Sequence, residues 1–309
     1  MRSVAAAAAA LALSVLAAGC GSETGASTAT SPSPAVVTPT SIPTAIPPTR
    51  GEVTTLGPVT VIDDGDGPEL CLGGVPQSLP PQCGGPRLIG WDWDDHPGAY
   101  EDVSGTKFGD FVVSGTFDGT DLTPTSVLAG EEYDAPAHPD DDPFVTACPE
   151  PAGGWVVDAS RAGLADESRA FRVASRLDDF GHSFVDQPSL DGLSDEDAEQ
   201  QALAEQQEGA VSSDIVNVFV TGDPAVAEAA IREVWGGGLC VGTADHTQRS
   251  LRAIQREMDR VPGLLGSGSS RGVVEVDLVY DDGTIAAWLD REYGAGTVVV
   301  QSAALVDVG

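Results

Sequence analysis

The chain has 309 residues, with 15 Lys+Arg against 48 Asp+Glu, and carries a formal net charge of −33. A surface so acidic repels nucleic-acid phosphates and anionic lipid head groups, so it excludes a nucleic-acid-binding role and favours cations or a basic partner. Hydrophobic residues make up 41% of the chain, enough to rule out disorder throughout.

The N-terminus carries Arg2 and then an apolar run over residues 4–18, interrupted only by Ser14. That run is too short to span a hydrocarbon core, which needs ~20 residues, and it has the length and basic flank of an export signal. It ends in Leu16-Ala17-Ala18-Gly19-Cys20. This stretch resembles the lipobox of bacterial lipoproteins, with Ala17 where that motif prefers leucine. The resemblance implies a signal peptide over residues 1–19, cleavage before Cys20, and a diacylglyceryl group on its sulfur. It also implies a place on the outer face of the cell membrane. Two acyl chains, palmitate for example, hold stably at ~0.8 kcal/mol per buried CH₂ where one is marginal. An ordinary signal peptide, with Cys20 incidental, is the competing reading.

Residues 20–54 read as a tether. Positions 21–50 include 5 Ser, 7 Thr and 6 Pro and no Leu, Phe, Trp or Tyr. Such a segment cannot bury enough apolar area to offset its ordering entropy. From about residue 55 the large apolar residues return, in a stretch long enough for one large or two small cores. Two are expected.

Residues 55–148 read as a β-rich domain. Residues 59–62 form a strand stopped by Asp63-Asp64-Gly65-Asp66-Gly67. Residues 87–93 form another, with Trp91 and Trp93 on one face. Residues 108–117 and 121–128 alternate and are joined at Asp118-Gly119, a strong hairpin signal. A small antiparallel barrel or sandwich is expected, an OB-like barrel being one candidate. Asp63 to Gly67 fails the EF-hand pattern at Pro68 and reads as a turn. Residues 138–143 read as an exposed loop, with hard-cation binding the alternative.

Residues 149–309 read as an α/β domain. Helices are expected over residues 164–179, 224–235, 246–261 and 284–293, and strands over 182–186, 215–221, 239–242, 273–280 and 297–308. Asp223 is a good N-cap with Pro224 at N1, and Asp245 with Gln248 resembles a capping box. Residues 190–210 read as an acidic loop or poorly buried helix. Together the two regions make an α+β protein whose second part is an α/β sandwich of ferredoxin-like type.

With Cys20 set aside, Cys71, Cys83, Cys148 and Cys240 remain, an even number in an exported chain and hence two disulfides. Three pairings are possible. Cys71 and Cys83 flank a Pro-rich loop and close most easily, which leaves Cys148 with Cys240. A zinc site is disfavoured by the spacings. Gly268-Ser269-Ser270-Arg271-Gly272 matches G-x-S-x-G, but it precedes a strand where a nucleophile elbow needs strand, turn and helix. Residues 263–272 are read as a mobile loop. His96, His138, His182 and His246 show no metal-ligand spacing. No catalytic residue, metal ligand or cofactor is assigned.

Three groups of residues carry a wider resemblance. They are Leu70-Cys71-Leu72-Gly73 with residues 78–86 (SLPPQCGGP) and Trp91-Asp92-Trp93; residues 217–221 with Trp235-Gly236-Gly237-Gly238; and Tyr280-Asp281-Asp282-Gly283 with Tyr293-Gly294. Across most of residues 58–308 the chain resembles a group of secreted actinobacterial lipoproteins with no assigned activity. The resemblance implies location and architecture and carries over no catalytic residue. The resulting expectation is a lipid-tethered, non-enzymatic binding or scaffold module that engages the membrane by its anchor and an envelope protein or basic partner by its folded part. An envelope hydrolase with His and Asp between the halves, and a cation- or solute-binding lipoprotein, are the competing classes.

Overall fold

The N-terminal strands are β1 (Val53–Thr55), β2 (Val59–Asp63), β3 (Glu69–Leu70), β4 (Glu101–Val103), β5 (Thr106–Phe117) and β6 (Leu122–Ala129). The computed structural model describes residues 41–308 apart from 75–77, 137–143, 191, 206 and 208–209. β5 is the spine of the first sheet. Its alternation points Phe111, Val113 and Phe117 inward, each at most 2% exposed. Along its length it pairs with β1, β2, β4 and β6, always antiparallel. The β5–β6 hairpin closes with the Asp118 amide donating to Asp121 O. A register shift falls at Ser114/Gly115, and a side chain on Gly115 would meet Thr123 O at 2.2 Å. Only glycine lets the two backbones approach there.

The C-terminal part follows as α1 (Leu164–Ala174), β7 (Phe180–Asp186), α2 (Asp195–Glu205), β8 (Ile215–Val220), α3 (Pro224–Arg232) and β9 (Gly238–Thr243). It continues as α4 (Gln248–Gln255), β10 (Leu264–Ser270), β11 (Val273–Leu278), α5 (Thr284–Tyr293), β12 (Val298–Ala303) and β13 (Leu305–Asp307). The fold is mixed α+β. β7, β8 and β9 form one three-stranded sheet and β10, β11 and β12 another. The two are built alike: an antiparallel pair, then a helix that crosses over to a parallel third strand. Both crossovers end in aromatic-Gly-x-Gly, at Trp235 to Gly238 and Tyr293 to Gly296. The ferredoxin-like expectation implies a single C-terminal sheet; two form, each covered by its own pair of helices, α1 and α3 on one and α4 and α5 on the other.

Three apolar clusters fill these layers. The first lies under the large sheet around Phe111, Phe117, Leu70 and Leu122. The second joins α1 and α3 to Val216, Val218 and Val220. The third joins α4 and α5 to Val274, Val276 and Leu278. The expected boundary near residue 148 does not separate them. β13 returns to pair with β1, giving a seven-stranded sheet ordered β13-β1-β5-β2-β3, with β4 and β6 also on β5. Val279, Tyr280 and Leu305 complete the first cluster. Among the described residues β3 and β13 remain the sheet's ends, so no closed barrel forms.

Five local expectations change. The folded unit begins at Ser41, inside the segment read as tether. Ile42 packs on the third cluster, Ile46 on the first, and Thr49 N–H donates to Phe117 O at 2.8 Å. Two isoleucines suffice to dock a strap that its average composition describes as unstructured. Residues 87–93 make only isolated bridges at Arg87 and Leu88, because Gly90 turns with φ +82 and Asp92 caps a short 3-10 turn. Residues 264–270 form strand β10, and the expected final strand breaks at Ala304 into β12 and β13 of different sheets. α4 is capped by Thr247, which accepts from Ser250 N–H, instead of by Asp245.

Candidate functional site

Cys20 and the acidic loop with His138 lie outside the described residues. Of the other singled-out residues, Cys71 is bonded to Cys83 and Cys148 to Cys240, with Cα separations of 5.5 and 5.7 Å. The second bridge holds residues 144–148 across the sheet face opposite α1 and α3. There Thr146 N–H donates to the buried Asp186 carboxylate at 2.7 Å, and its hydroxyl meets Asn217, which is fully buried. The turn at Asp63 is internally committed. Its Oδ1 accepts from Gly65 and Gly67 N–H, and its Oδ2 accepts from Trp93 Nε1–H at 3.1 Å. Among the described residues no group of three His, Cys, Asp or Glu is placed to hold a metal. Trp91 and Trp93 meet edge to face at 5.4 Å and pack on Phe111 in the first core cluster.

The serine of the G-x-S-x-G stretch ends β10. Arg271 and Gly272, with φ +46 and +86, make the two-residue turn to β11. Two successive positive φ angles are the signature of a primed hairpin turn, which holds the Gly- and Ser-rich segment in register.

The described histidines are dispersed. His96 packs at a tilt against Trp91, and His246 Nε2 lies 3.2 Å from Thr297 Oγ1. His182 stacks flat on Phe219 with centroids 4.4 Å apart, and its buried Nδ1 has no hydrogen-bond partner. Burial, and secondarily the charge of Arg271, push its pKa below the ordinary value of 6.5. A folded state that refuses this proton loses stability as pH falls, because the unfolded chain binds it below about pH 6.5. The loss starts near that value and ends once pH passes the folded pKa. Urea unfolding at pH 7.5 and 5.5 tests this: His182→Phe keeps the stack, and the stability difference between the two pH values is expected to shrink relative to wild type.

The arrangement with the clearest functional character is a groove of about 270 Å³ between the end of α1 and the outer face of α4. Leu177 and Phe180 line its apolar part, with Ser175, Asp178 and Gln248 beside them. Arg249, Arg252 and Arg256 line the rest. At 100° per residue these three lie within an arc of about 60°, roughly opposite Leu251 and Ile254, which face the core. The helix is fixed from below: Leu251 is 1% exposed, and Gln255 Nε2–H donates to Ser267 O at 3.0 Å. Neutralisation is incomplete. Arg249 approaches Asp178 at 3.7 Å, but both side chains are almost fully exposed, so the pair is screened and weak. Arg260, one turn on, is bonded to Glu257 at 2.7 Å. Arg252 and Arg256 have no ion-pair partner among the described residues.

The sequence reading assigns no role to these arginines. Their spacing at i, i+3 and i+7 within a chain of net −33 is the signal that marks them. Comparison with protein-family models, curated proteins and solved structures gave no match.

Proposed function

We propose that the chain is a lipoprotein of the cell envelope, anchored through Cys20, whose folded part is a non-enzymatic binding module. The export-type N-terminus and the two cystines suit an oxidising, extracytoplasmic setting. The resemblance to secreted actinobacterial lipoproteins supports the same location. On this reading the seven-stranded layer is a sandwich-like base, and the two α/β units are the part that presents the binding surface. The observation that carries the binding role is the arginine groove. Arg252 and Arg256 sit at i, i+4, a like-charge spacing that costs a helix about 0.2–0.5 kcal/mol. Among the described residues no carboxylate pairs with either of them. A bound anion offsets that cost.

Affinity capture from envelope extract tests this. Residues 20–309 bearing Cys20→Ser serve as bait beside the same bait bearing Arg249→Gln, Arg252→Gln and Arg256→Gln. The expected result is at least one envelope component retained by the first bait and lost with the second. Identical profiles from the two baits would contradict the assignment of binding to this groove.

A further inference from the structure

We propose that the groove formed by Arg249, Arg252 and Arg256 is a site for a small phosphate ester. This names the ligand class for the binding role above and rests on that reading of the groove. The argument starts from donor geometry. A single guanidinium fork satisfies a planar carboxylate by two parallel hydrogen bonds. Three arginines line one open volume, and their guanidinium groups together offer more donors, in more directions, than a carboxylate can use. A phosphate has three peripheral oxygens and up to two charges, and accepts from several forks at once.

The second argument is the apolar side of the groove. Leu177 and Phe180 lie opposite a helix face made of charge, so the space takes a ligand with an anionic end and a carbon-bearing end. A volume of about 270 Å³ fits a phosphoryl group with a substituent the size of a triol or small sugar. Ser175 and Gln248 supply neutral hydrogen-bonding groups for hydroxyls on that substituent.

The third argument is selection by the whole molecule. A net charge of −33 repels long polyanions over many Debye lengths of contour, whereas a small ester meets only the local arginine field. The ion pair between Arg249 and Asp178 must open for Arg249 to reach the ligand. Both partners are almost fully exposed, so opening it costs little.

The test is a titration of residues 20–309 bearing Cys20→Ser with sn-glycerol 3-phosphate, succinate and glycerol, read by calorimetry and by NMR of the arginine side chains. The phosphate ester is expected to bind, succinate about fivefold or more weakly, and glycerol not at all. Arg252→Gln with Arg256→Gln is expected to weaken ester binding by about tenfold or more without lowering the melting temperature, since the like-charge pair is removed. Arg252→Lys with Arg256→Lys keeps the charge, loses the forks, and is expected to weaken binding several-fold. Equal affinity for succinate would overturn the phosphate assignment, and unchanged affinity in the glutamine variant would overturn the site. Sedimentation with phosphatidylglycerol vesicles separates the sources. Soluble binding without cosedimentation is expected, since so acidic a surface repels an anionic bilayer, and places the phosphate on a free ester; cosedimentation lost in the glutamine variant would place it on a lipid head group and overturn the selection argument. Capture of an envelope component without ester binding would sink this inference alone. Ester binding without capture would leave the site and remove the macromolecular role.

Discussion

Replacing Trp235 with alanine is expected to destabilise the protein by about 3–5 kcal/mol. The side chain is fully buried in the cluster under α3, and its Nε1–H donates to Gly238 O at 2.7 Å. Truncation therefore leaves a cavity and also strands a carbonyl at the start of β9. Gly237 shows how tightly the indole is held, since a Cβ there would stand 2.2 Å from the ring. For a folded unit of this size each kcal/mol lowers the melting temperature by about 2–4 °C. A calorimetric scan of Trp235→Ala beside Trp235→Phe should show the larger drop in alanine, with phenylalanine recovering most of the packing but not the hydrogen bond. A melting temperature within two degrees of wild type for the alanine variant would mean that the cluster repacks without cost.

Removing the Cys148–Cys240 bridge is expected to cost about 4–5 kcal/mol, against about 3 kcal/mol for Cys71–Cys83, in the loop-entropy model. The difference follows from sequence separations of 92 and 12 residues. The long bridge also holds Thr146 over Asp186 and Asn217, so its loss exposes two otherwise buried polar groups to competing water. Urea midpoints of Cys148→Ala/Cys240→Ala and Cys71→Ala/Cys83→Ala, each compared with wild type, measure the two values. A smaller loss from the long bridge than from the short one would show that residues 144–148 stay docked without the covalent link.

The parts of the fold legible in the sequence are those whose local chemistry agrees with their tertiary setting. Asp223 and Pro224 start α3, where the Asp223 carboxylate accepts from Ala225 N–H as the residue types require. The alternation around Asp118-Gly119 places β5 and β6, and Thr284–Tyr293 is helical as its spacing indicates. What stayed hidden depends on partners far along the chain. β10 is Leu264-Leu265-Gly266-Ser267-Gly268-Ser269-Ser270, a poor strand by propensity, held by the ladder to Val273, Val274 and Val276 of β11. Nothing local marks Ala304 as the point where the chain leaves one sheet for another; that break exists because β1 offers an open edge. The strap at Ile42 and Ile46 is two apolar residues in a polar segment, too few for any periodic signal.

The candidate site was less legible than the fold. Arg249, Arg252 and Arg256 are adjacent only on a helix whose opposite side is buried. The groove needs Leu177 and Phe180 from an element some 70 residues earlier in the chain. The cystines were readable because oxidised pairs leave an even count. The histidines and the G-x-S-x-G stretch were visible as residue types, but the structure disperses the described histidines and uses Ser270, Arg271 and Gly272 to turn a hairpin.

The proposed envelope role depends on a diacylglyceryl thioether at Cys20, and the most direct measurement is the intact mass and N-terminal peptide of protein purified from the cells that produce it. The expected result is a chain that begins at Cys20 and carries the mass of a diacylglyceryl group, found in the membrane fraction and shifted to the medium by Cys20→Ser. A free thiol at Cys20 on protein recovered from the culture fluid would contradict the anchor.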